Sequence, residues 1–468
     1  MVYVANFSSV THVNHWHSVC VSGTRLLGFS TKTIVLRINK ETLFMSKFQP
    51  STALRLTVAA TLVLAATLSA QAQNIEKLKQ MRVATTDLNM PLIPQTGKNA
   101  DQLRENLKRI KLPPGFKIDL YAVVPDARHM AVAPAANMVM VGTRKTTVWA
   151  VTNRNSGDMA TEVKSFAPSL KFTNPNGVCW TPDGFLIVAE HNRVLTFPAA
   201  EFFYEGPDVA VGEVVPQGKL VPVEEESYNH GARTCRVGPD KKLYITLGQP
   251  HNVQPRDKVK LYEEIGLGGI VRMETDGSKR EVFATGIRNS VGQDFNPKDG
   301  SLWFTDNQTD GMGDDIPNGE INRANKPGMF FGYPYIQGTT RITEYGYDKD
   351  PIPANTTKAE VLTEAHAADL GMTFYTGKQF PAKYQGAIFS AQHGSWNRTK
   401  PNGARVLVTY LKPDGHADKT EVFADGWLDS ETTTFRGRPV DVAVMKDGSM
   451  LVSDDYAGAL YRISYVGQ

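Results

Sequence analysis

Along the chain, apolar stretches repeatedly run into a tight turn and return at once as a second apolar stretch ending in a small or acidic residue. Six such units are visible, at 130–142, 177–190, 234–247, 292–306, 380–392 and 440–454. Their turns include Pro182-Asp183-Gly184, Pro239-Asp240, Pro297-Lys298-Asp299-Gly300 and Lys446-Asp447-Gly448. Pro presets the first turn dihedral and Asp or Gly accepts the next, so each unit reads as a β-hairpin. The turns recur at intervals of about 48 to 86 residues, the range of a four-stranded propeller blade with its loops. The expected fold is therefore all-β, a six-bladed β-propeller of four-stranded blades.

The direction of the hairpins sorts the loops. If each unit is the innermost strand and its neighbour, the Pro/Asp/Gly turns mark one face of the disc. Residues just before the first strand and just after the second then lie on the opposite face and converge on the central axis. The long interval 318–376 is read as insertions between two blades, lining that face.

The N-terminal region belongs to a different class of sequence. Lys47 and Arg55 precede an apolar core, 56–68, and Ala70-Gln71-Ala72 forms a small-x-small cleavage pattern. That core is shorter than the roughly 20 residues a bilayer span requires. The expected organisation is an upstream extension mis-assigned to the protein (1–44), a secretory signal peptide (45–72), a lead-in (73–109) with helical stretches near Ile75 and Asp101, and a propeller (110–468). Export places the protein in the periplasm or outside the cell, without a membrane anchor.

Setting that region aside changes the charge. Of 51 basic and 48 acidic residues, six and one lie in 1–72, leaving 45 against 47. A remainder so close to neutral gives no reason to expect a nucleic-acid partner. Cys20 falls in the extension. Cys179 and Cys235 remain, one in the first strand of each of two hairpins; their pairing is not readable from sequence, and buried free thiols are the simpler expectation.

The positions selected by hairpin direction carry distinctive chemistry. Before the third unit stand Asn229-His230-Gly231, and a rim histidine is suited to general-base work, although a loop histidine alone is more often solvated or structural. Before the fourth stand Arg288-Asn289, and after it the oxygen-rich loop 306–315, which could serve a hard cation such as Ca2+ or simply be an unliganded acidic loop. After the fifth stands Gln392-His393, and before the sixth Arg436-Gly437-Arg438, whose alternation puts two cations on one strand face and fits a multiply charged anion. No Gly-x-Gly-x-x-Gly follows a strand, which argues against NAD, and no Cys-x-x-Cys-His marks a covalent haem.

Asn229-His230-Gly231, the run 284–289, the run 331–335, the run 391–398 and the segments 437–444 and 452–462 together resemble the sorbosone dehydrogenase family, a branch of the soluble quinoprotein sugar dehydrogenases, over roughly 112–464. The resemblance implies a six-bladed propeller that binds pyrroloquinoline quinone (PQQ) and Ca2+. It places the general base on His230, the contacts to the quinone on Arg288 and Asn289, and the anchors of the cofactor carboxylates on Arg436 and Arg438. It places two metal-ligating backbone carbonyls near Gln308 and Thr309, where the glucose branch has Gly-Pro. Asn229 stands where that branch has Asp, and His393 near where it has a cofactor-binding Lys, which points to the sorbosone branch. The implied activity is PQQ-dependent oxidation of a sugar or sugar aldehyde, with electrons passed to a separate acceptor such as a cytochrome or quinone. Two rivals remain on the same fold: a Ca2+-dependent lactonase or esterase, and a propeller that only binds a glycan or a protein.

Overall fold

The computed structural model describes residues 92–467, apart from 156 and 206–208, and the backbone of three short strands, Val19–Val21, Thr24–Leu26 and Arg82–Ala84. The chain divides into two units, Met1–Ala72 and Gln73–Gln468. The expected export signal and the helical stretch near Ile75 lie outside the described residues.

Among the described residues of the second unit, six sheets of four or five strands form the blades, antiparallel apart from one added strand. Their innermost strands are, in order, Met130–Val132, Gly177–Trp180, Cys235–Val237, Gln293–Phe295, Asp369–Phe374 and Pro439–Val444. Each touches the next, and the last touches the first, so the sheets close into a ring of six blades. The sixth blade is completed from the other end of the chain. Its outer strand is Phe116–Val123, which pairs with Ala459–Tyr465 in register from Phe116 opposite Tyr465 to Val123 opposite Ala459. The four-stranded plan gains a fifth strand in two blades: Arg82–Ala84 adds to the second and Met329–Phe330, in parallel, to the third.

Burial follows from this layering. Second strands such as Leu186–Ala189 are covered on both faces and read as continuous apolar runs, whereas the outer strand Ala417–Asp425 is open to solvent over most of its length and buries only Phe423 and Ala424. The helix Lys98–Leu107 turns Ala100, Leu103 and Leu107, spaced for one helical face, onto the core shared by blades five and six. In the turns, Gly184 sits at φ 82°, a conformation that side-chain-bearing residues rarely adopt. Among the described residues no helix is long and apolar enough to cross a membrane.

Three expectations are corrected. The fifth hairpin is not 380–392: its strands are Asp369–Phe374 and Ile388–Gln392, joined by a long connection. The stretch from Phe380 reads as a first strand because Tyr375, Phe380 and Tyr384 are aromatics spaced along an otherwise polar connection. They pack into the blade core instead, Tyr375 stacking on Phe380 with centroids 4.4 Å apart. The long insertion lies within blade four, between Gly319–Ala324 and Val361–Thr363, because the third strand of that blade forms before the chain leaves it. Finally, Cys179 and Cys235 form a disulfide, with Cα atoms 5.8 Å apart. They occupy the neighbouring innermost strands of blades two and three, which the packing of consecutive blades brings side by side.

Candidate active site

On the face away from the tight turns, the loops bound two adjoining chambers of about 230 and 490 Å3, both lined by Arg144, Tyr228 and His230. Arg128, Asn289 and His393 line the smaller one. Arg288, Asp310 and Trp396 line the larger one. Trp396 and Tyr228 are 75% and 73% exposed, so the mouth carries two aromatic faces.

His230 is held in an unusual backbone conformation, φ 52°. Arg233, buried beneath it, donates to the carbonyls of His230 at 3.2 Å, Gly248 at 3.3 Å and His191 at 3.1 Å, which pins the turn. His230 Nδ1 lies 2.6 Å from Gln249 O. A carbonyl only accepts, so Nδ1 carries the proton and Nε2 keeps its lone pair. Burial, with the nearby Arg288 guanidinium, lowers the His230 pKa to about 3, leaving a neutral imidazole at physiological pH.

Arg288 and Asn289 are placed by one buried carboxylate. Asp306 accepts the backbone N–H of Arg288 at 3.0 Å and that of Asn289 at 2.7 Å. Burial and the neighbouring Glu320 raise its pKa. The Arg288 guanidinium donates to Asn252 O and Oδ1, pairs with Asp310 at 3.0 Å and reaches Asn307 O at 3.4 Å. Asn289 Oδ1 is buried without a partner among the described residues. A Cβ on Gly248 would come within 2.3 Å of it, so a glycine there leaves the space the amide occupies.

His393 Nε2 contacts Asp455 Oδ1 at 2.7 Å, and the other carboxylate oxygen takes Arg128 Nη1 at 2.5 Å. Burial lowers the His393 pKa despite that carboxylate, while Arg128 and His393 hold Asp455 well below the usual carboxylate range. Sequence reasoning missed Asp455 and Arg128, although both stand at the blade ends that hairpin direction selects. It also missed His366. The misplaced fifth hairpin hid its position just before Asp369–Phe374. His366 Nε2 reaches Gly313 O at 2.8 Å and Nδ1 meets Asn397, which donates to Asp310 at 2.7 Å.

The expected Arg436 and Arg438 pair is not brought to the chambers. Arg438 donates to the carbonyls of His393 and Gly394 and lies over the Phe435 ring. Arg436 points towards Asp429, 3.8 Å away, because the small hairpin of Leu428–Asp429 and Thr434–Phe435 turns it outward. Gln308 and Thr309 are buried behind the loop, where Gln308 Nε2 lies 3.4 Å from Asp369 and Thr309 N donates to Gln337 Oε1 at 2.8 Å. The carboxylates of 306–315 are likewise engaged: Asp310 by Arg288, Asp314 by Thr399 N and Asp315 by Arg398. Among the described residues no three acidic, histidine or cysteine side chains gather as a metal site. The side chains of this loop therefore do not fit a Ca2+ cage.

Fold and site together define a six-bladed propeller with an arginine-lined small-molecule chamber on its axis face. Residues 219–462 match the glucose/sorbosone dehydrogenase family, and the chain belongs to that family. A protein of Borreliella burgdorferi described as uncharacterized is 35% identical over 248 residues, which is 53% of this chain and 63% of that protein, less than two thirds of its length. Among solved structures, the fold is similar to a Trichoderma reesei carbohydrate-active enzyme of family AA12, with a TM-score of 0.62 at 18% identity over 76% of this chain and 98% of that one. It is also similar to the PQQ domain of Coprinopsis cinerea pyranose dehydrogenase in holo form, with a TM-score of 0.60 at 17% identity over 76% and 97%. The soluble aldose sugar dehydrogenase of Escherichia coli in apo form gives a TM-score of 0.54 at 17% identity over 75% and 99%. At these identities the likeness is one of fold.

Proposed function

We propose that the protein oxidises a sugar or sugar aldehyde, of the aldose or sorbosone type, using pyrroloquinoline quinone and passing the electrons to a separate acceptor such as a cytochrome or quinone. His230 carries this reading. Its Nδ1–H is committed to Gln249 O, so Nε2 is a fixed proton acceptor in a chamber lined by arginines. The arginines present fit an anionic cofactor, since Arg144 and Arg288 line the chambers; Asn289 Oδ1, without a partner among the described residues, is an acceptor for a donor group of the ligand or substrate.

When bound, the quinone supplies the two-electron oxidant that accepts the substrate hydride. His230 takes the proton from the substrate hydroxyl or aldehyde hydrate at Nε2. Arg288, held by four protein acceptors, stays in place and sets a positive potential for the oxyanion that develops as that proton leaves. Asn289 offers its carboxamide from the chamber wall. Calcium is given no step, since the side chains of 306–315 do not form a site for it. Work in the periplasm or outside the cell agrees with the Cys179–Cys235 bridge, which persists in oxidising surroundings.

The test is a titration of the apo protein with PQQ, followed by dye reduction over a panel of aldoses and sorbosone. A saturable absorbance change and sugar-dependent dye reduction support the reading. Lactone hydrolysis without PQQ binding would replace it with a hydrolase. Silence in both assays would leave a binding propeller.

A further inference from the structure

The outward turn of Arg436 leaves open which residue anchors a carboxylate in the chambers. Three arginines line them: Arg128, Arg144 and Arg288. Two already hold protein acceptors. Arg128 is buried, with Nη1 on Asp455 and Nε on Asn176 Oδ1 at 2.8 Å. Arg288 is held by Asn252, Asn307 and Asp310.

Arg144 differs from both. It follows the second strand of blade one, Met138–Val141, as Arg128 precedes the first, so the two cations leave the same hairpin on the chamber face. Its backbone N–H donates to Asp126 Oδ2 at 2.8 Å, which fixes where the side chain starts. Its guanidinium is exposed, lines both chambers, and has no hydrogen-bond or ion-pair partner among the described residues. Arg128 repels it, and that repulsion is the largest influence lowering its pKa, ahead of burial and against the opposing pull of Asp455 and Asp126. In the wall of the smaller chamber, Asn174 is 4% exposed and its Oδ1 is buried without a partner. An amide oxygen only accepts, so this group would meet an N–H or O–H of a ligand and takes no part in holding a carboxylate.

We propose that Arg144 anchors a carboxylate of the bound quinone cofactor, the role that resemblance assigns to Arg436. The proposal rests on the PQQ reading given above. A planar guanidinium with all its donors free matches a carboxylate through two parallel N–H···O bonds, and the second cation behind it favours a polyanion over a neutral sugar.

The experiment is equilibrium titration of the apo protein with PQQ, followed by absorbance and by calorimetry, for wild type, Arg144→Ala, Arg144→Lys and Arg436→Ala, with circular dichroism checking the fold. Arg144→Ala should raise Kd about tenfold to a hundredfold, as expected for one lost charge-assisted contact. Arg144→Lys should recover part of the loss, because it keeps the charge but not the fork. Arg436→Ala should stay within about twofold of wild type, since its side chain lies outside the chambers. An unchanged Kd for Arg144→Ala, or an equal loss for Arg436→Ala, overturns the assignment. So does an Arg144→Ala protein that binds PQQ normally but shows a raised KM for an anionic sugar. A wild type that does not bind PQQ at all instead refutes the quinone reading itself.

Discussion

Arg288 and Asn252 are bonded twice: Nε donates to Asn252 O at 3.0 Å and Nη2 to Asn252 Oδ1 at 2.9 Å. The same Oδ1 accepts the backbone N–H of Asp310 at 2.8 Å, so one carboxamide ties together a loop within blade three, the crossing from blade three to blade four, and the loop after the second strand of blade four. Asn252→Ala removes an acceptor from a buried cation. The expected result is a loss of about 1–3 kcal/mol in urea unfolding, with a parallel fall in turnover by the PQQ-reconstituted protein.

His230→Ala should lower the turnover of the reconstituted protein by about 10²-fold to 10⁴-fold, the range for a positioned base. The side chain makes one hydrogen bond and is neutral in both the folded and unfolded chain at pH 7, so the thermal midpoint there should move little. Steady-state kinetics beside a melting curve separates the two effects, and undiminished turnover would remove His230 from the proposed chemistry.

The same residue predicts a pH effect. An unfolded histidine titrates near 6.5, while burial and Arg288 take folded His230 to about 3. Above pH 6.5 both states are neutral and the residue has no influence. Below it the unfolded chain takes up a proton that the folded one does not, so this contribution destabilises the fold as pH falls from about 6.5 towards 3, by at most about 1.4 kcal/mol per unit. Comparing denaturant midpoints of wild type and His230→Gln at pH 7 and pH 5 should therefore show a wild-type disadvantage that grows on acidification. In the apo protein, NMR should find this imidazole neutral at pH 5.

Gly248→Ala places a methyl 2.3 Å from Asn289 Oδ1 and 2.7 Å from His230 Cβ. Both side chains must move, so PQQ-supported turnover should fall by about tenfold or more, as expected when a reacting group is misplaced. Wild-type turnover in this variant would show that neither position is critical.

Much of this could be read in the chain, and what could not has physical causes. The hairpins at 177–190 and 440–454 are legible because their strands are short apolar runs separated by Pro, Asp or Gly turns. The fifth is misread because Tyr375, Phe380 and Tyr384, spaced along a polar connection, fill a core instead of extending a sheet. His230, Arg288, Asn289 and His393 are legible at the chamber because hairpin direction alone selects their face. Arg436 is not, since the two-residue strands that turn it outward leave no periodic trace. Arg144 stands at a selected position outside every segment of the resemblance, and Asp455, inside 452–462, has no role assigned by it. Their importance appears only when His393, Arg128 and the empty donors of Arg144 are seen together.

The Cys179–Cys235 bridge joins neighbouring innermost strands directly below the Arg233 and His230 turn. Reduction, or Cys179→Ser with Cys235→Ser, should cost about 2–4 kcal/mol of stability. A thermal midpoint unchanged by reductant would show that packing of the two blades is sufficient.

The pairing of Phe116–Val123 with Ala459–Tyr465 has a mechanical consequence. Phe116 lies opposite Tyr465, so tension between the two ends of the ring enters the pair at one end. The ladder is then peeled one rung at a time and never loaded in shear along its length. A ring closed by such a pair would thus yield first, under a pull at its two ends, at the seam where the circle is fastened.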